Sequence, residues 1–403
     1  MENIKRVQLS EIAELITKGT TPTTLGYDFQ DEGVNFLKIE CFDELGNYLS
    51  DKVAHISEEC NEKLKRSQLR RGDVLFSIAG AIGRVGIVTE EMLPANTNQA
   101  LAIIRINRDD VYLPYIKLIL TSPIVKRQFE RKKQGVAQLN LSLKDINELS
   151  IPLPDKEKQI EYANLFTKIN IIMDQRNKEL ESLDELIKAR FVEMFGEPIA
   201  NPMNWPVKRL KELSTLITNG NTPKGGSENY VEDGITFLRS QNVWRNRIEL
   251  GDVAYIDEAT HKSMQKSSLH YKDILITKTG RINTENSSLG RAALFLGEDD
   301  SANINGHVYL VRLDGSVVPE FVVTILTGEA YRRYIRKVCV GGIDKRQINI
   351  DQVEDFPIIL PPYEQQKQFA TFVTQVEKSK VAVQAALDKA QLLFDSLMQE
   401  YFG

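Results

Sequence analysis

Several stretches of this sequence come close to a catalytic signature, and each lacks a residue its chemistry needs. Gly220-Asn221-Thr222-Pro223-Lys224-Gly225-Gly226-Ser227 has the glycine frame of a phosphate-cradling loop, but Gly226 stands where the phosphate-binding lysine belongs. The matching stretch after Gly19 carries Thr23-Thr24 and no such frame, so a Gly/Pro surface loop is the better reading. Leu360-Pro361-Pro362-Tyr363 has the prolines and tyrosine of a site that methylates an amine. That chemistry requires a polar side chain in place of Leu360, and no glycine-rich strand-to-helix turn for a methyl donor accompanies it. Pro154-Asp155-Lys156-Glu157-Lys158 has nuclease-like letters, with carboxylates too close together to occupy separate strands. The three cysteines (Cys41, Cys60, Cys339) form no CxxC pair and the four histidines are scattered, which disfavours a metal site or a His-centred active site. The chain reads as non-catalytic, with no metal of its own.

Basic clusters are the positive signal. Lys117, Lys126, Arg127, Arg131, Lys132 and Lys133 face only Glu130 among acids between 117 and 133. Arg332, Arg333, Arg336, Lys337, Lys345 and Arg346 face only Asp344 between 331 and 346. A solvated helix face is the ordinary explanation of either cluster alone. Their recurrence at matching points, each beside a Gly-containing loop (Gln134-Gly135 through Gln138, and Gly341-Gly342), favours a role in tracking nucleic-acid phosphates. Side chains suited to base edges sit in more variable stretches: Gln241, Asn242, Arg245, Arg247, Arg281, Asn283 and Asn286, with Trp244 among them or in the core. The net charge of −5 counts against nucleic acid only as a total, since it can hide a local basic face.

The elements that position these residues come in two versions of one design. Leu15-Ile16-Thr17-Lys18-Gly19-Thr20-Thr21-Pro22 is answered by Leu216-Ile217-Thr218-Asn219-Gly220-Asn221-Thr222-Pro223, and Gly72-Asp73-Val74-Leu75-Phe76 by Lys272-Asp273-Ile274-Leu275-Ile276. Gln138-Leu139-Asn140-Leu141 matches Gln347-Ile348-Asn349-Ile350. A period of roughly 200 residues is too long for a solenoid and indicates a duplicated domain. Short β-branched runs at 34–39, 73–78, 84–89 and 101–106, and at 235–239, 273–277, 291–296 and 308–312, predict strands. Ser122-Pro123 and Thr327 are the expected caps of the helices that carry the basic clusters. Each half is therefore a mixed α/β (α+β) domain. The expected segments are 1–155, a long helix over 156–197, 198–361, and a second long helix over 362–403, with a linker at 198–202. Between matching frames the halves diverge: 40–68 shares little with 240–268, and Gly280-Arg281 is followed by an insertion before Gly290-Arg291.

In the first long helix Phe166, Ile169, Met173, Arg176, Leu180, Leu183, Ile187, Arg190 and Met194 alternate steps of three and four, which keeps one seam on one side. At 1.5 Å per residue that seam is roughly 40 Å long. The same seam returns at one constant offset as Val373, Val376, Lys380, Val383, Leu387, Ala390, Phe394, Leu397 and Tyr401, and both copies close on Phe-Gly. Two such helices predict partners for one another.

With 403 residues, 42% hydrophobic and 27% charged, the chain has the composition of a multi-domain globular protein. No apolar run approaches the ~20 residues of a membrane span. The polar start MENIKRVQLSEIAEL and the odd, scattered cysteines lead us to expect a cytoplasmic protein. The paired Leu-Ile-Thr-x-Gly-x-Thr-Pro openings, the Asp73 and Asp273 strands, Asn96-Thr97-Asn98-Gln99, the Glu157/Gln159 and Glu364/Gln366 pairs ahead of each helix, and the Phe-Gly endings together resemble the DNA specificity subunit of type I restriction–modification enzymes. Asn303-Ile304-Asn305-Gly306 departs from the first half's Asn-Thr-Asn-Gln. The resemblance covers essentially the whole chain, through motif order and duplication. It implies two target-recognition domains on the halves of an asymmetric, bipartite site in double-stranded DNA, with the helices pairing antiparallel as a coiled-coil spacer. It also implies two adenine-N6 methyltransferase subunits using S-adenosylmethionine, and motor–nuclease subunits using ATP and Mg, with all catalysis on those partners. A coiled-coil adaptor that binds only protein is the alternative, and the duplicated basic clusters weigh against it.

Overall fold

The computed structural model describes residues 4–130, 140–223, 225–282, 284, 286–342 and 345–402. It forms two compact units, Met1–Asn177 with Ala385–Gly403, and Lys178–Gln384. This partition differs from the sequence segments at the helices, because each long helix gives one end to each core.

At the centre of the first unit lies a four-stranded antiparallel sheet in the order Leu15–Lys18, Leu101–Arg105, Val74–Ser77, Val85–Ile87. Val74 and Phe76 face a core shared with the helix Leu113–Thr121, whereas Leu75 faces a second cluster with Phe42 and Met92. Burial on both faces explains why this strand is a continuous apolar run and not an alternating one. A smaller sheet follows the order Ala54–Ile56, Val34–Leu37, Ala95–Thr97, its last pair parallel. The second unit repeats both sheets, as Ser214–Asn219, Val308–Leu313, Ile274–Thr277, Ala292–Leu294 and as Ala254–Ile256, Ile235–Leu238, Ala302–Ile304. Every expected strand is present. Further strands lie at Leu15–Lys18 and at the sheet edges Ala54–Ile56 and Ala95–Thr97, the last two too short to show a sequence pattern.

The repeated motifs are staples. An added Cβ on Gly19 would lie 1.9 Å from the Thr97 carbonyl oxygen, and one on Gly220 would lie 1.9 Å from that of Ile304, so only glycine permits these crossings. Buried Asp73 accepts both Nε and Nη2 of Arg105, at 2.8 and 2.7 Å, and Asp273 holds Arg312 in the same way at 2.9 and 2.7 Å. Gln159 donates to the Asp110 and Pro154 carbonyls and accepts the Tyr112 N–H; Gln366 donates to Pro361 and accepts the Val318 N–H. Asn96 and Asn303 both donate to carbonyls of the short helical segments beneath them, so the departure after Asn303 leaves this role intact.

The near-catalytic stretches resolve as backbone punctuation. Gly225 and Gly226 adopt left-handed φ of 91° and 64° and enter only a single 3-10 turn, Gly226–Asn229, which cannot serve a nucleotide loop. Asp155 accepts the Lys158 N–H at 2.9 Å as a cap on the first long helix, and Pro362 opens the second. Two expected caps differ. Pro123 does begin its helix, but the Ser122 hydroxyl donates backward to Ile119, and Thr327 ends the preceding helix, leaving Gly328 as the cap of Glu329–Val338. The linker at 198–202 is a tight turn: Asn201 and the Trp205 backbone exchange two hydrogen bonds, and the Trp205 indole donates to Phe195 at 3.1 Å.

The long helices run Lys156–Phe195 and Tyr363–Phe402 without Gly or Pro. Gly196, at φ +75°, terminates the first in the left-handed region. All seam positions of both helices, including Leu180, Leu183, Ile187 and Val383, are buried or half-buried. In the first unit Phe166 meets Phe394 at 5.1 Å and Tyr162 stacks on Tyr401 at 4.6 Å, so these segments run antiparallel. In the second, Phe191 meets Phe369 at 5.4 Å and Lys380 bonds Asp184 at 2.8 Å, again antiparallel. Partial burial draws the Lys380 ammonium down, but Asp184 and Glu377 outweigh it and hold its pKa above the ordinary lysine range.

The last phenylalanine of each helix closes a core. Phe402, 3% exposed, packs on Tyr115, Tyr162 and Phe166, and Phe195, fully buried, packs on Phe321 and Phe369. Truncating a buried phenylalanine costs about 3–5 kcal/mol. We therefore expect Phe402→Ala to raise amide exchange across the sheet of the first unit, at Val74–Ser77 and Leu101–Arg105, with Ile274–Thr277 unaffected. Phe195→Ala should show the reverse. Equal loosening of both units by either substitution would contradict this assignment.

Candidate nucleic-acid interface

The basic helix of the second unit, Glu329–Val338, turns Tyr331 and Ile335 inward and leaves Arg333, Arg336 and Lys337 exposed. Arg332 differs: it is 15% exposed and bound to Glu329 at 2.6 Å. Glu329 also faces Arg245 at 3.7 Å. Partial burial pushes its carboxyl upward, but the Arg332 hydrogen bond and the charges of Arg332, Arg245 and Arg336 hold it below the ordinary glutamate range. Arg332 is therefore less exposed than the other cations of this helix and is paired within it.

The matching helix of the first unit, Pro123–Glu130, buries Ile124, Val125 and Phe129 and exposes Lys126 and Arg127. Lys126 lies 3.9 Å from Glu130 with both side chains mostly in water, a pairing worth little. Lys117 turns inward to donate to the Gly46 carbonyl at 3.1 Å, and burial lowers its pKa. Arg131, Lys132, Lys133 and Gln138 lie outside the described residues, as does Asn283.

One small sheet joins regions far apart in the sequence. Arg346–Gln347 pairs with Val340–Gly341 on one side and Thr279–Gly280 on the other, all antiparallel. Arg281 and Lys345 thereby line one cleft of about 580 Å³, together with Arg291. Arg346 is half-buried in this sheet. Among the described residues, the first unit has no equivalent of the sheet.

The loop at 240–252 revises other expectations. Asn242 is 1% exposed: its carbonyl accepts the Arg239 N–H at 2.9 Å, and its amide donates to Glu249 at 3.0 Å and Asp252 at 2.8 Å. Every polar arm is used to close the loop, so Asn242 does not read bases. The Gln241 amide is bound to the Asp252 carboxylate, and Arg247 donates twice to Glu249, at 2.9 and 2.8 Å. Both remain exposed, and a base edge would have to displace a carboxylate to reach them.

Trp244 is half-buried and serves as a platform. The Arg291 guanidinium lies 3.8 Å from its ring centroid and that of Arg247 lies at 5.3 Å, while its indole N–H donates to Gln241 at 3.0 Å. Arg291 lies outside the basic clusters of the sequence. The available signal was the repeated Gly-Arg at 83–84 and 290–291. In both units that arginine donates to loop carbonyls, Arg84 to Phe42 and Arg291 to Ser287 and Asn286.

Replacing Asn242 tests its reassignment. Asn242→Ala takes the partner from the Arg239 N–H and the Glu249 carbonyl, while Arg239 Nη2 still serves the Asp252 carbonyl, a loss of about 1–3 kcal/mol. A lower urea midpoint is expected, with an unchanged preference in selection from randomised duplexes. A changed preference at wild-type stability would restore Asn242 as a base reader.

The family described as type I restriction modification DNA specificity domain matches this chain twice, over residues 1–182 and 202–390. The EcoBI specificity subunit of Escherichia coli is 31% identical over 176 residues, a stretch that covers 42% of this chain and 36% of that relative. The MjaIX specificity subunit of Methanocaldococcus jannaschii is 23% identical over 97% of this chain and 90% of its own length. A solved type I restriction–modification S subunit from M. genitalium shares the fold, with a TM-score of 0.55 and 14% identity over 100% of this chain and 97% of that one. Among the described residues no helix is long and apolar enough to cross a membrane. With the domain matched once in each half and the duplicated frame built around it, this chain belongs to the type I restriction modification DNA specificity domain family.

Proposed function

We propose that the chain supplies the address of a type I restriction–modification complex, each unit binding one half of an asymmetric, bipartite site in double-stranded DNA. The observation that carries this reading is the exposed basic helix at the same place in both units, with Lys126 and Arg127 in one and Arg333, Arg336 and Lys337 in the other, beside loops that differ. Cations on a common frame suit phosphates, which are the same in every sequence, and divergent loops suit bases, which are not. In this reading methyl transfer with S-adenosylmethionine belongs to two methyltransferase partners, and ATP- and Mg-dependent translocation and cleavage to motor–nuclease partners. The chain itself contributes binding and position, inside the cell where genomic DNA is found.

Duplex affinity should fall with salt along a log–log line whose slope is about −0.9 per neutralised phosphate. Replacing residues 1–155 with the equivalent domain of a relative, both long helices being kept, should then change one half of the sequence selected from randomised duplexes. Alteration of both halves together would refute separate reading by the two units. No salt-sensitive duplex binding at all would favour the protein-only adaptor.

A further inference from the structure

Arg291 occupies an unusual electrostatic position. It is 8% exposed, and no carboxylate pairs with it among the described residues. Its Nε donates to Ser287 at 3.1 Å and its Nη2 to Asn286, while Nη1 has no acceptor among the described residues. Two more arginines stand nearby: Arg247, over the same indole ring, and Arg245. Burial lowers the Arg291 pKa, Arg245 and Arg247 lower it further, and Glu249 only partly offsets them while itself binding Arg247 at 2.8 Å. A mostly buried cation among like charges is costly unless an anion answers it.

The cleft beside Arg291 is furnished for such an anion. Arg281 and Lys345 reach it from two different segments, and both are exposed. The Ser287 hydroxyl accepts the Leu289 N–H at 3.1 Å, and its own proton has no acceptor among the described residues. No carboxylate is among the described residues of the lining. Three cations and a hydroxyl donor match the oxygens of a phosphate, and guanidinium groups do so with fork geometry. A base edge would instead call for mixed donors and acceptors.

The geometry points to a phosphate-binding site formed by Arg281, Arg291, Lys345 and Ser287, which clamps the DNA backbone against the second unit. This site rests on the duplex binding proposed above and adds to it a specific, sequence-independent contact. It also gives a role to the pairing of Thr279–Gly280 with Arg346–Gln347, which brings Arg281 and Lys345, each next to a paired strand, to one cleft. Trp244, stacked on Arg291, makes the site observable, because an anion drawn to the guanidinium changes the ring's surroundings.

The test uses the full chain in two arms, with Arg281→Ala and Lys345→Ala as exposed substitutions that leave the buried Arg291 in place. In the first arm, inorganic phosphate is titrated while tryptophan emission is followed, and Trp244→Phe identifies the contribution of Trp205. Wild type should respond, and each alanine variant should need about tenfold more phosphate. In the second arm, binding to a mixed-sequence duplex is measured across a salt range. Each variant should bind several-fold more weakly at low salt, uniformly across sequences, with a salt slope smaller by about one. Wild-type emission unmoved by phosphate, with variants matching wild type on DNA, would overturn the site and leave duplex recognition standing. A loss confined to some sequences would assign these residues to base edges and overturn the phosphate clamp. A wild type that responds to phosphate and binds no duplex would overturn the DNA reading together with the backbone as the source of the phosphate.

Discussion

Neither unit completes its core with the stretch of chain that builds its sheets. The first waits for Phe394, Met398 and Phe402 from the end of the chain, and the second for Phe191 and Phe195 from the middle. Aromatic side chains carry much of this closure, with centroids 5–6 Å apart in tilted and edge-on pairs that add to their buried area. Each long helix is consequently tied down at both ends, one end in each unit. That requirement explains the absence of Gly and Pro over forty residues, since a kink would pull a terminal aromatic out of its core. It also explains the Phe-Gly ending of the first helix, where Phe195 must be buried in the helix's last turn and Gly196 must leave it at positive φ.

Around this constraint the scaffold divides into parts that are held and parts that are free to vary. Asp73 with Arg105, Asp273 with Arg312, Gln159, Gln366, and the glycine crossings at 19 and 220 are buried or sterically determined. Arg105 and Arg312 are half-buried, and the other side chains named are buried. Loops suspended from such a frame can change length and composition without loosening the sheets. The loop at 240–252 shows the limit of that freedom. Asn242, which looks like a base reader, is used up in holding the loop closed, while Arg245 and Arg247 are partly committed to Glu329 and Glu249.

Arg291 shows how the frame and the variable loops meet. Its position is a repeated one, shared with Arg84, and in both units the arginine spans to loop carbonyls. Only in the second unit is it capped by an indole ring and bordered by an insertion. A frame arginine is there bordered by two further arginines and, among the described residues, by no ion-pair partner of its own.

The sequence by itself determined the duplication, the mixed α/β class of each half, the buried seams of the long helices and the absence of an intact catalytic signature. All of these are carried by periodicity, spacing or identity at matched positions, which are properties of the linear chain. Much of the candidate site was also legible, because clustered cations on an amphipathic helix turn outward once Tyr331 and Ile335 turn in. Three things were decided only by the tertiary structure. The first is which side chains are spent internally: Asn242, Arg332 and Lys117 look available by letter, and each is consumed by a partner close in space. The second is the meeting of Arg281, Lys345 and Arg291, which depends on strand pairing between segments more than fifty residues apart. The third is that each half borrows its closing aromatic residues from a helix at the far end of its neighbour's sequence. Repeat and seam describe what a helix buries. Only packing in three dimensions selects the core that receives it.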